Sequence, residues 1–151
     1  MLRLTLIVVV LVLAAFPTLA LDNLLVDPGF ESVDEAGAFA SWTLAPGSAG
    51  ELQVAAHARS GQRAALLIPA LKDGVHTAAV RSWRVRPLWG ARYRASVWCS
   101  GTGSARVGIM QQFRVRRQGE VEFETTWCDP AVLHEGWQRL TVEQSLLSDR
   151  E

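Results

Sequence analysis

Between Trp42 and Glu143 the sequence breaks into short β-type runs separated by Gly, Pro, Ser and Asp, and helical periodicity is almost absent. The runs are Trp42–Leu44, Leu52–Ala56, Ala64–Ile68, His76–Val85, Arg92–Ser100, Ala105–Val115, Glu120–Thr126 and Trp137–Glu143. Many short strands at this spacing predict an all-β sandwich or barrel. No internal repeat or low-complexity stretch interrupts the pattern, so residues 21–151 read as one domain.

What precedes those runs is different in kind. Met1 to Ala20 has the layout of a secretory signal peptide: Arg3 near the start, a run from Leu4 to Phe16 that is apolar except for Thr5, and Pro17-Thr18-Leu19-Ala20 ending in a small residue. The run is shorter than the roughly 20 residues of a spanning helix. The expectation is therefore a secreted, extracellular or periplasmic protein with no membrane insertion after cleavage; the alternative is an uncleaved membrane anchor, because Leu21 extends the run. The whole chain of 151 residues balances 15 basic against 15 acidic residues. Near neutrality argues against nucleic-acid or anionic-membrane binding by the domain as a whole, which would need a basic excess. It also argues against disorder, because 49% of the chain is hydrophobic.

One hairpin is specified residue by residue. Val107, Ile109, Phe113 and Val115 alternate with Met110, Gln112, Arg114 and Arg116. Val121 and Phe123 alternate with Glu120, Glu122 and Glu124. A three-residue loop, Arg117-Gln118-Gly119, would set Phe113 opposite Phe123 on a core face. It would set Arg114 opposite Glu122, and Gln112 opposite Glu124, on an outer face. A register shifted by one residue would mix the faces. Arg92–Ser100 divides similarly: Tyr93, Ala95, Val97 and Cys99 point inward, while Arg92, Arg94, Ser96, Trp98 and Ser100 point outward.

The two cysteines, Cys99 and Cys128, would meet an oxidising compartment after export, which makes a disulfide the natural reading. The alternative is a buried pair of thiols. Strands two apart in a meander are too distant to be bridged, so a bond requires another arrangement or Cys128 in the loop after its strand. Two thiols and three dispersed histidines do not make a zinc site.

Several stretches together resemble the jelly-roll carbohydrate-binding modules of the family 4, 9 and 22 kind, which are galactose-binding-domain-like. Asn23-Leu24-Leu25-Val26-Asp27-Pro28-Gly29-Phe30-Glu31, followed by Trp42, resembles their opening. Ser60-Gly61-Gln62-Arg63 is similar to their Ser-Gly turn, Gly90 to Trp98 to their Gly-x-x-Tyr-x-x-Ser-x-Trp strand, and Gly136-Trp137 to their late Gly-Trp strand. The resemblance implies a jelly-roll β-sandwich of two antiparallel sheets that recognises a polysaccharide or glycan on one sheet face. It also implies a structural calcium with Glu31 as one ligand. Calcium needs six to eight oxygens and the family's late acidic partner has no match here, so Glu31 is equally a turn-bonding residue. The family's closing strand, with its acidic pair, is also unmatched before Glu151. That departure predicts a fragment, a shortened product, or a sheet completed by a partner domain or chain, with marginal stability.

Candidate ligand-binding residues follow from face and chemistry. Of the six tryptophans (Trp42, Trp83, Trp89, Trp98, Trp127 and Trp137), Trp98 is the best candidate for exposure by strand parity and Trp127 goes with Phe123 into the core; Trp42 and Trp137 match framework positions of the family, and Trp83 is left open because the pattern breaks after Val80. Gln112, Arg114, Glu122 and Glu124 would offer hydroxyl-binding groups, or form a solvated ladder of ion pairs. Glu120, Glu122 and Glu124 loosely resemble the acidic strand of jelly-roll glucanases, with same-face spacing of roughly 6.5–7 Å. The adjacent arginines would lower the acids' pKa, the wrong direction for a general acid. The reading is therefore a non-catalytic module, with an adhesion or protein-interaction module and a small glycosidase as the alternatives.

Overall fold

A computed structural model describes residues 23–82, 91–114 and 121–145. The leader Met1–Ala20, Trp83, Trp89, the loop Arg117–Gly119 with Val115, Arg116 and Glu120, and the last residues to Glu151 lie outside the described residues. Among those described there is no helix, and about half lie in strands, every pair of them antiparallel. The strands are β1 Trp42–Leu44, β2 Glu51–Ala55, β3 Ala64–Ile68, β4 Ala70–Lys72, β5 Val75–Thr77 and β6 Val80–Ser82. Then follow β7 Arg92–Cys99, β8 Ser104–Ala105, β9 Gly108–Arg114, β10 Val121–Trp127, β11 Ala131–Val132 and β12 Gln138–Ser145. The all-β class is the one the sequence announces.

The pairings nest. β9 pairs with β10, β8 with β11 and β7 with β12, so the second half of the chain is one long hairpin. Backbone bonds fill the gaps between the named strands: Cys128 N to Val107 O, Leu133 N to Gly103 O, and Gly101 N to His134 O. In the first half β1 pairs with β6 around two shorter hairpins, β2–β3 and β4–β5. The β4–β5 turn is Asp73-Gly74, with φ of 50° and 79°. Two successive positive φ values define the type I′ turn that matches strand twist, and Asp-Gly is a favoured pair for it.

β12 packs against β9 and β10, and its alternate residues Leu140 and Val142 are buried beneath them. Gln144, two further along the same face, donates through Nε2 to Oε1 of the buried Gln111 on β9 at 3.3 Å. A second apolar centre forms at the N-terminal side. Phe30 stacks on Trp42 at 4.4 Å and meets the buried Phe39 edge-on at 5.7 Å. Trp42 Nε1 donates to Asp27 O at 2.9 Å, so the indole is apolar on its face and satisfied at its edge. Asp27 takes the backbone N–H groups of Glu31 and Ser32 on its two carboxylate oxygens.

The β9–β10 register differs from the expected one by a single residue. Phe123 pairs with Gln112, Glu124 with Gln111, Glu122 with Phe113 and Val121 with Arg114. The side-chain period of a strand is two, so this displacement exchanges the faces of β10. Phe123 and Trp127 are 58% and 45% exposed and share the outer face with Met110 and Gln112, correcting their assignment to the core. The reason lies at the far end of the pair, where Trp127 faces Gly108. Its indole fills the space a Cβ at Gly108 would need, and the Arg106 guanidinium lies 4.4 Å from the ring centroid. Seating the largest side chain of β10 on the glycine of β9 overrides the loop-based register.

The cysteines are also resolved differently from the expected disulfide. Both are free thiols. Cys128 does lie in the segment after its strand, where its Sγ accepts the Val107 N–H at 3.2 Å and is thereby held to the ladder. Burial pushes the Cys99 thiol pKa upward, and the neighbouring Cys128 adds to the rise.

Candidate functional site

The outer face of β7–β12 carries the most pronounced constellation of polar, charged and aromatic groups. β7 alternates as expected, with Tyr93, Ala95, Val97 and Cys99 more buried than Arg92, Arg94, Ser96 and Trp98. Pairing with β12 sets Trp98 opposite Arg139, Ser96 opposite Thr141, and Arg94 opposite Glu143. Directly opposed residues share a face. The face therefore presents Arg92, Arg94, Ser96 and Trp98 on one strand and Arg139, Thr141 and Glu143 on the other.

Trp98 is 41% exposed, as its parity predicts. Its ring is met by a residue from elsewhere: the Arg59 guanidinium carbon, in the segment between β2 and β3, sits 3.7 Å from the ring centroid. That is a close cation–π contact. Arg139 donates from Nη2 to Ser96 Oγ at 3.0 Å. Glu143 answers Arg94, through both Nε and Nη2, and Arg92 at 3.8 Å. Among the described residues neither Arg59 nor Arg139 has a carboxylate partner.

Beside Trp98 the face ends in a notch of about 190 Å³ lined by Ala55, His57, Ala64, Ala65, Leu66, Ser100 and Trp137. The His57 ring stacks over Trp137 at 6.2 Å and 27°. The volume is below the roughly 300 Å³ of small-molecule pockets, so the notch is a shallow surface depression that does not enclose a ligand.

The residues selected from sequence do not converge. Trp98 faces outward from β7–β12, whereas Gln112 faces outward from β9–β10, on the opposite side from Gln111 and its contact with Gln144. Trp98 and Gln112 thus point away from one another across the packed strands. Gln112 and Glu124 lie on different faces of their own pair, and Arg114 and Glu122 are not register partners.

Glu31 is engaged elsewhere. Its Oε1 accepts the backbone N–H of Gln62 at 3.0 Å and of Arg63 at 3.4 Å, and Arg63 Nη1 donates back to Glu31 O. Gly61 has a φ of 74° and leaves the space this carboxylate occupies. Two N–H donors on one oxygen make this carboxylate a clamp on the Gly61–Arg63 turn. Among the described residues no group of three acidic, His or Cys side chains could hold a metal ion.

Arg59, Arg139, His57 and Trp137 were not legible as one site. Arg139 sits two residues from Trp137 and so shares its face, but its pairing with Trp98 joins distant parts of the chain. Arg59 carries no sequence signal; it lies in an irregular segment whose approach to Trp98 is purely tertiary. No family model, curated protein or solved structure matches this chain.

Proposed function

We propose that this protein is a secreted, non-catalytic carbohydrate-binding module with a jelly-roll β-sandwich, recognising a polysaccharide or glycan on the outer β7–β12 face. The observation that carries the reading is Trp98, exposed on a strand face and flanked by Arg59, Arg139 and Ser96. An outward aromatic with convergent polar groups is the usual anchor for a small polar ligand. Ser96, Ser100 and Thr141 add hydroxyls on or beside the same face, able both to donate to and accept from sugar hydroxyls. Nested pairing of β7–β12, β8–β11 and β9–β10 is what a jelly roll's folded-over long hairpin would have, which supports the finer fold assignment.

The test is electrophoretic retardation of the purified protein in native gels containing single polysaccharides, with Trp98→Ala alongside wild type. Retardation lost in the variant is expected. Wild type unaffected by every polysaccharide, or a variant retarded as strongly as wild type, rejects the reading.

A second reading, a protein-interaction or adhesion module, draws on the opposite face. Met110 and Phe123 are exposed there beside a groove of about 250 Å³, lined also by Ala45, Pro46 and Arg81. Exposed apolar patches of this kind mark protein contacts. Glycosidase action has less support: Glu122 and Glu124 occupy register positions opposite Phe113 and Gln111, with no cleft described between them.

A further inference from the structure

The charge balance of the whole chain conceals a segregated surface. On the outer β7–β12 face and the segment above it stand Arg59, Arg92, Arg94 and Arg139. Glu143 is the acid in their ion pairs and answers two of the four.

We infer that this face takes an acidic polysaccharide, one bearing carboxylate or sulfate groups, with Arg59 and Arg139 reading the anion on either side of Trp98. This rests on the glycan reading above and narrows it. The reasoning begins with Arg59. Its guanidinium already lies on the Trp98 ring, so a neutral sugar cannot stack on that ring face unless Arg59 leaves. The contact with the ring is made by the guanidinium carbon, and no hydrogen bond or ion pair to a described residue engages the Arg59 N–H groups around it. Those N–H groups form the fork that bonds a carboxylate or sulfate with two parallel hydrogen bonds, and stacking fixes it in advance.

Arg139 is the second half of the device. It stands opposite Trp98 in register and donates one Nη2 hydrogen bond to Ser96 Oγ, which steadies the head group while other N–H donors remain. Neither arginine is neutralised by a described carboxylate, so an arriving anion displaces no ion pair among the described residues. Arg92 and Arg94 continue the positive strip along β7, which suits an extended polymer better than a single small anion. Interleaved hydroxyls and a lone exposed tryptophan among the described residues of this face favour a sugar acid over single-stranded nucleic acid, which binds on successive aromatic platforms.

The experiment measures binding of the purified protein to polygalacturonate, dextran sulfate, neutral xylan, unsubstituted dextran, poly-glutamate and an oligo-dT strand, at low and high salt. Wild type is compared with Arg59→Gln/Arg139→Gln and with Arg81→Gln, which alters a charge at the other groove; thermal melts check folding of each. Expected is binding to polygalacturonate or dextran sulfate, weakened by salt and by about tenfold or more in the double variant. The Arg81→Gln protein should bind as wild type. The relative strength of the two anionic polymers tells carboxylate from sulfate. Binding to xylan alone overturns this inference and leaves the glycan reading standing. Equal binding to poly-glutamate or oligo-dT overturns it as a general anion patch. Absence of binding to all polysaccharides overturns both.

Discussion

A Cβ placed on Gly108 would lie 2.5 Å from Cε3 of Trp127, its partner across β9–β10, so the indole occupies room that only glycine leaves. Gly108→Ala must displace the ring or slip the pair. The cost expected from overpacking is about 1–3 kcal/mol. Urea denaturation followed by tryptophan fluorescence measures it. An unchanged midpoint would contradict the register.

Leu140 and Val142 are the buried apolar residues of β12, and among the described residues Phe39 is the other hydrophobic side chain of that burial. With so little buried apolar surface among the described residues, each such residue carries a large share of the stability. Leu140→Ala is expected to cost about 2–5 kcal/mol, enough to abolish a cooperative melt. Circular dichroism against temperature tests this.

The class of fold and most strand positions were legible because they depend on local alternation and turn residues. The strand over Arg92–Cys99 appears with its inward and outward sets as expected. The β9–β10 register was not legible, because loop length and facewise hydrophobicity favoured one answer while the Gly108–Trp127 contact dictated another. The site was half legible for the same reason. Trp98 follows from parity on its own strand, but Arg139 and Arg59 reach it through pairing and packing that no local pattern encodes.

Glu31 clamps the Gly61–Arg63 turn through Gln62 N and Arg63 N. Glu31→Ala removes a charged acceptor from two backbone donors and is expected to cost about 1–3 kcal/mol. Because the carboxylate serves as a turn clamp, adding calcium or a chelator should leave the wild-type melting temperature unchanged. A calcium-dependent rise would restore the metal reading.

The Cys99 pKa is raised first by burial and then by the proximity of Cys128. The folded state therefore favours the neutral thiol more than the unfolded state does. Its contribution is complete below the unfolded thiol value, about 8.5, and is lost as pH rises through the higher folded value. Wild type should lose stability between pH 8 and 10 more steeply than Cys99→Ala, by urea midpoints. At pH 8 a thiol-alkylating reagent should label Cys99 more slowly than it does in the denatured chain.

Met110 and Phe123 expose apolar surface next to Ala45 and Pro46. Met110→Thr/Phe123→Thr should raise the concentration at which the protein stays monodisperse by light scattering. Away from buried contacts, each change in stability should stay within about 0.5 kcal/mol. Loss of solubility on substitution would mean that the patch is internally important.

The nested pairing from β9–β10 outward to β7–β12 has a kinetic consequence. Arg92 meets Ser145 only after the intervening chain has folded back on itself, so the outer ladder bears the largest loop-closure entropy. Assembly should begin at the inner hairpin and zip outward, with β12 last to lock. The face proposed to bind glycans is built from that last ladder. Partially folded molecules therefore keep the inner hairpin while lacking the surface that recognises anything, and refolding should recover hairpin structure before it recovers ligand capture.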